Sequence, residues 1–360
     1  MTLKKALLAA LMVIAVAPWS ASHAATYDVM NLPAVPSELA TKSLIYTIAK
    51  MGDRHFATGH FGHILYSDDG GETWTQAEVP VRSSILDIHF PTPEKGWAVG
   101  HEGIILHSAD GGKTWVKQYD GLRFGQEGLA YYQSLLESDP ENELYSVLIG
   151  EMEFAIGQGA DKPFFRVFFI NDKQGYAVGA YGMSMVTFDG GENWEPNMHR
   201  IENDSFFHMF DFAPLPEAGR FFISGEAGLF LVGDVNARLA TQVPSVPWEG
   251  SFFAASGTAD GAIVMGGLRG RMFRTADQGQ TWSAVEKPDT SSIVDGTLLA
   301  DGRQVFVGIA GEVLLSEDDG NSFSLVPVAR SGPIYAVEEG PAGTLLLGGP
   351  GGIKQLSLPQ

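Results

Sequence analysis

Residues 67–74 read SDDGGETW, and close copies follow at 108–115 (SADGGKTW), 187–194 (TFDGGENW), 275–282 (TADQGQTW) and 316–323 (SEDDGNSF). The shared pattern is Ser/Thr-x-Asp-x-Gly-x-x-aromatic, with its acids at Asp69, Asp110, Asp189, Asp277 and Asp318, spaced 41, 79, 88 and 41 residues apart. An active site needs its acid once, so five copies at a regular period point to a building element. The Asp can accept backbone N–H bonds across its own turn, the Gly residues supply positive φ, and the aromatic packs between units. A calcium loop is the competing reading, but the octet lacks the ligand spacing and closing Glu of an EF-hand.

A second signature, Gly-x-x-Gly between two short apolar runs, starts at Gly59, Gly100, Gly179, Gly225, Gly267, Gly308 and Gly349. Its intervals are 41, 79, 46, 42, 41 and 41 residues, so one unit occurs seven times and one copy is swollen. A period of ~40–45 residues with about four short strands per unit marks a β-propeller. The unit over 84–119 parses as SILDIHF, WAVG, IILHS and TWVKQY, separated by Gly/Asp turns. The last unit offers three strands, and TYDVMNLP (26–33) is expected to add the fourth, closing the ring end to end. The expected fold class is therefore all-β, a seven-bladed propeller with Asp-box turns of the kind found in sialidases and many other propellers.

The first 24 residues carry Lys4 and Lys5, an apolar run broken by Pro18, and small residues at Ser22 and Ala24. They read as a signal peptide cleaved before Ala25, with a retained anchor as the alternative. The expected location is the periplasm or an equivalent lumen, with residues 25–360 forming a single propeller. The chain contains no Cys, so its stability must come from burial. Its net charge is −20, and loss of Lys4 and Lys5 makes the remainder more negative still. That excludes nucleic acid and anionic lipid as general partners.

The swollen copy lies between blades two and three, over residues 121–160. GQEGLAYYQSLLES carries Leu129, Tyr132, Leu135 and Leu136 at helical spacing. A second helix is expected with Asp139 as N-cap, Pro140 at its first position, and a stripe of Leu144, Val147, Leu148, Met152 and Ile156. The resulting hairpin has seven acids (Glu127, Glu137, Asp139, Glu141, Glu143, Glu151, Glu153) and one base, Arg123. It reads either as a cap on the ring or as a docking arm.

Strands alternate in direction, so the Gly-x-x-Gly turns and the blade connections share one face, opposite the Asp-box turns. That face holds the candidate partner-binding residues: His60, His101, Tyr181 and Arg269 from turns, and Arg82, Arg200, Trp248 and Arg330 from connections. The connection arginines Arg82, Arg200 and Arg330, at similar places in different blades, are expected to converge near the axis as a cationic patch for a carboxylate, a peptide C-terminus or an acidic segment. Ion pairing with nearby acids is the competing reading. His60 and His101 lack a third metal ligand, so no metal and no cofactor is expected. A sialidase-like hydrolase would use Arg82, Arg200, Arg330, Tyr181 and Glu102, but no Arg-Ile-Pro segment precedes the first Asp-box. A small ligand in the central funnel is a further alternative.

The segments KGWAVGHEGIILHSADGGKTW (95–115) and QGYAVGAYGMSMVTFDGGENW (174–194) resemble blades of the photosystem II stability/assembly factor family. The similarity covers nearly all of the chain after the leader. It implies a seven-bladed, non-enzymatic, lumenal or periplasmic scaffold that assists assembly of membrane proteins. The resemblance also implies an Arg-rich patch that binds a photosystem II reaction-centre precursor, and Arg82, Arg200, Arg269 and Arg330 are the positions that could carry it. In bacteria that do not photosynthesise, the implied client is another envelope protein. The chain is expected to act as a monomer.

Overall fold

Seven antiparallel sheets stand in the computed structural model, which describes residues 28–215, 219–236, 238–243, 246–328 and 332–359. The leader-like segment and Arg330 lie outside the described residues. Each sheet is a blade whose strands run in chain order from the axis outward, four per blade in six blades and three in the last. The innermost strands are Ile45–Met51, Ile85–His89, Phe164–Phe169, Met209–Pro214, Phe252–Gly257, Ile293–Leu298 and Ala336–Glu339. The second strands are almost wholly buried, as Gly96–Gly100 (GWAVG) and Gly175–Gly179 (GYAVG) illustrate, because both of their faces lie between blades.

The Asp-box turns repeat one hydrogen-bond set. In the first, the Gly71 amide donates to Ser67 Oγ (2.8 Å), the Ser67 hydroxyl to Asp69 Oδ1 (2.7 Å), the Thr73 amide to Asp69 Oδ1 (2.9 Å) and Trp74 Nε1 to the Gly71 carbonyl (3.0 Å). The Thr73 hydroxyl and amide hold the Asp69 carboxyl down at about 2. Gly70 and Gly71 have φ of 76° and 92°, which only Gly adopts without cost. The aromatics differ in depth: Trp115 and Trp194 are buried, and Trp115 meets Phe90 edge to face.

In the Gly-x-x-Gly turns the first Gly lets the preceding connection pass. A Cβ on Gly59 would lie 2.3 Å from the Leu44 carbonyl oxygen, and one on Gly100 2.0 Å from that of Ser84. The third residue is left-handed in five blades: Phe61, Glu102, Tyr181, Ala227 and Arg269 have φ of 52–59°. Strained non-Gly backbone of this kind is uncommon and gathers at working surfaces.

The ring closes differently from the expected end-to-end strand. Residues 28–34 run beside blades one and two: the Arg82 amide donates to the Val29 carbonyl (2.6 Å) and the Ala34 amide to the Val79 carbonyl (2.9 Å). Met30 and Ala34 pack on the apolar core between those blades, and Pro33 has no N–H to give a ladder. Blade seven keeps three strands and meets blade one face to face through Ile45, Ile48, Ala336 and Leu346.

Two helices leave blade two, α1 (Gly121–Ser138) and α2 (Glu143–Gln158). The Arg123 amide caps α1 by donating to Asp120. The second helix starts later than the N-cap reading of Asp139 placed it. Asp139 ends α1 and its carbonyl accepts from the Asn142 amide, so Pro140 and Glu141 lie in the turn. Leu148 and Met152 are buried, whereas Val147 and Ile156 are exposed, because Ala155 rather than Ile156 takes the packed face. Gly125 and Gly128 let α2 approach, and a Cβ on Gly128 would meet Met152 Sδ at 2.4 Å. Phe124, Tyr132, Leu148 and Met152 share one core with Trp97, Phe164 and Phe169, so the hairpin is built into blades two and three.

Candidate binding funnel

The innermost strands of blades one to six each begin with a bulge, one residue unpaired against the second strand. The bulged residues are Tyr46, Leu86, Phe165, Phe210, Phe253 and Val294, and Tyr335 holds the same place in blade seven. All seven line one cavity of about 420 Å³ on the axis, opening on the Gly-x-x-Gly face. Five are aromatic. Phe210 lies 5.4 Å from Phe165 and 5.1 Å from Phe253, ring centre to ring centre. His208 extends this row to the exposed Tyr181, whose ring stands edge-on to it at 4.7 Å.

One residue further along each strand is a second ring: Thr47, Asp87, Arg166, Asp211, Ala254, Asp295 and Ala336. Its one cation closes the funnel. Arg166 Nη1 donates to Asp87 Oδ1 (3.1 Å), Arg166 Nε lies 2.9 Å from Asp211 Oδ1, and Nη2 stands 3.8 Å from Asp295 Oδ1. The carboxylates also staple blades together: Asp87 accepts from the Val167 amide, Asp211 from Ala255 and Asp295 from Val337. Burial pushes Asp87 up and Asp295 up to about 6. Burial alone would lower Arg166, but Asp211, Asp87 and Asp295 hold its charge. Below this ring a smaller cavity of about 200 Å³ contains Glu338, raised to about 7 by burial, and His89, lowered to about 4 by the same cause.

The expected site residues are spread more widely. His101 lines the funnel. His60 sits beside it: its Nδ1 is 2.8 Å from Ser84 Oγ and its ring meets Tyr46 edge-on. Burial, then the nearness of His101, lowers its pKa. Among the described residues no group of three His, Cys, Asp or Glu is placed to hold a metal ion.

Arg82, Arg200 and Arg269 do not line the axial cavity. Arg82 Nε donates to the Pro33 carbonyl (2.9 Å) in the N-terminal strap. Arg200 donates to His199, whose ring packs on Tyr131 and Tyr132 of α1. Arg269 is exposed at the tip of its own turn. Trp248 is half-buried and packs edge-on against Phe252. Connections between blades cross the face from the outermost strand of one blade to the innermost strand of the next, so a shared face does not imply a shared radius.

Sequence reasoning missed Arg166 and the bulge ring. The available signal was one charged residue at the same place of otherwise apolar inner strands, in ILDIH, FFRVFF, MFDFAP and IVDGTL.

The model of the family described as "Photosynthesis system II assembly factor YCF48" matches residues 71–142 and 155–333, leaving out most of α2. The chain belongs to the YCF48 family. A BNR/Asp-box repeat matches residues 65–76. Among solved structures, "YCF48 bound to D1 peptide" is similar at TM-score 0.59 and 16% identity, over 91% of this chain and 100% of that one. YCF48 from Cyanidioschyzon merolae is similar at 0.61 and 16%, over 90% and 98%. The WD40 propeller domain of Doa1 reaches 0.61 at 10% identity, over 93% and 98%. At these identities the likeness establishes the propeller fold. No curated protein sequence matches the chain.

Proposed function

We propose that this YCF48-family propeller is a non-enzymatic scaffold that holds a segment of a membrane protein in its axial funnel during assembly of an envelope complex. The observation that carries this reading is the bulge ring, seven side chains lining one open cavity, six of them placed there by strand irregularities that the fold alone does not require. Exposed apolar residues at the neighbouring turn tips, Phe61, Tyr181, Leu268 and Ile309, widen the contact surface. Family membership supports the assembly role, and a YCF48 solved with a D1 peptide supports a peptide as the occupant.

The site of action is the periplasm or a comparable lumen. The leader-like start of the chain supports export, and no helix among the described residues is long and apolar enough to cross a membrane. The protein works as a monomer. A hydrolase is disfavoured because Arg82 and Arg200 are engaged with the Pro33 carbonyl and His199, and neither lines the axial cavity.

The test is recovery of partners. Tagged protein crosslinked in its native envelope should co-purify with an integral membrane protein, and the double variant Phe210→Ala/Phe253→Ala should lose it while remaining folded. Undiminished recovery with that variant contradicts the funnel as the docking site.

A further inference from the structure

We infer that the funnel takes a basic side chain, lysine or arginine, presented from an apolar stretch of the partner protein. This rests on the docking reading above and names the chemistry at its centre.

The floor sets the sign. One guanidinium faces three carboxylates, which leaves an excess of negative charge once they are ionised. Asp87 and Asp211 are each engaged twice, by Arg166 and by the amide of the next blade. Asp295 has its amide partner, Val337, but its second oxygen meets Arg166 only at 3.8 Å, beyond hydrogen-bond range. On either side of Asp295 the ring carries only methyl groups, Ala254 and Ala336. Asp295 therefore faces the cavity with an acceptor that a visiting N–H group can use, and the small neighbours leave room to reach it.

The walls set the shape. Tyr46, Phe165, Phe210, Phe253 and Tyr335 surround the path to that carboxylate. Aromatic faces attract a cation and accept the methylene stem that carries it. A carboxylate descending the same path would meet Asp295 and gain little from Arg166, which is already engaged. The volume of about 420 Å³ lies within the ~300–1,000 Å³ range of side-chain and small-ligand pockets. Burial resists ionisation of Asp295, and an arriving cation offsets that cost.

The experiment uses the chain without its leader and a blocked pentapeptide, acetyl-Gly-Leu-Xaa-Leu-Gly-amide, with Xaa as Arg, Lys, norleucine or Glu, titrated by calorimetry at pH 8. The Arg and Lys peptides should bind at least about tenfold more tightly than norleucine, the scale of a charge-assisted contact, and the Glu peptide should be weakest. Asp295→Asn keeps an oxygen for the Val337 amide, so it should fold, with near-UV circular dichroism as the check, and it should level Arg with norleucine. Equal binding of Arg and norleucine to the parent protein, preference for Glu, no binding of any peptide, or a preference that survives Asp295→Asn overturns the inference. Photo-crosslinking of a client from Phe253 separates the two claims: a crosslinked client without cation preference removes only this inference, and its absence removes the docking reading as well.

Discussion

Aspartate does two opposite jobs in this molecule. In the Asp-boxes, Asp69, Asp110, Asp189, Asp277 and Asp318 sit at the edge of the ring and accept from amides and hydroxyls of their own turns, which holds their carboxyls below the ordinary range. On the axis, Asp87 is buried and Asp295 partly so, and desolvation raises both. The first set repeats in five blades; the second appears in three, facing a single arginine. Repetition marks what every blade needs in order to fold. Departure from repetition, at equivalent places on the inner strands, marks where the blades were made unequal, and that is at the funnel.

Breaking the axial set should cost most. Arg166→Met strands three carboxylates, and losing one partner of a buried ionic network typically costs ~3–5 kcal/mol. Urea unfolding at pH 7 should show a loss of that order, shrinking toward pH 4 as Asp295, raised to about 6, protonates. An unchanged midpoint would mean that the network contributes little.

A comparable loss is expected from the packing side of the Asp-box. Trp115→Ala removes a buried indole that caps its turn by donating to the Gly112 carbonyl, at a cost of ~3–5 kcal/mol. Client recovery per folded molecule should be unaffected, which separates scaffold from site.

Glu338 gives a smaller effect with a definite sign. Its folded pKa of about 7 lies above its ordinary value of 4.5. The stability it permits is present below 4.5 and lost as pH rises through 7. Glu338→Gln should therefore raise Tm at pH 8, by on the order of 2 kcal/mol in stability, and leave it unchanged at pH 4. A Tm gain equal at both pH values would assign the effect to packing instead.

The smallest change belongs to the exposed acids. Burial alone would raise Asp189, but the Asn193 amide and side chain and the Thr187 hydroxyl lower it. A lowered carboxyl stabilises above its ordinary pKa, and that contribution is lost as pH falls through the folded value. Asp189→Ala should cost no more than about 1 kcal/mol at pH 7 and less at pH 2.5, measured by thermal melts, since the group is solvent-screened.

These contrasts also explain what could be read in the chain. Asp-box and Gly-x-x-Gly turns are local devices, set by residues within a few positions of each other, so blade count and face assignment were legible. The strap at 28–34 was not, because its partners Arg82 and Val79 are remote in sequence and a strand pattern does not name its neighbour. Arg166 was hidden for a related reason. FFRVFF looks like an ordinary apolar strand until it is aligned on the other six, and only a closed ring brings it to Asp87, Asp211 and Asp295. Arg82 and Arg200 were expected near the axis, but a turn pattern names a face and carries no information on radius.

The most direct test places a photo-reactive phenylalanine analogue at Phe253, in the funnel, and in a second protein at Glu192, at an Asp-box tip on the opposite face. Irradiated in the native envelope, the Phe253 protein should crosslink to an integral membrane protein and the Glu192 protein should not. Crosslinking from Glu192 with none from Phe253 would contradict the account, because the working face would then be the one built from repeats.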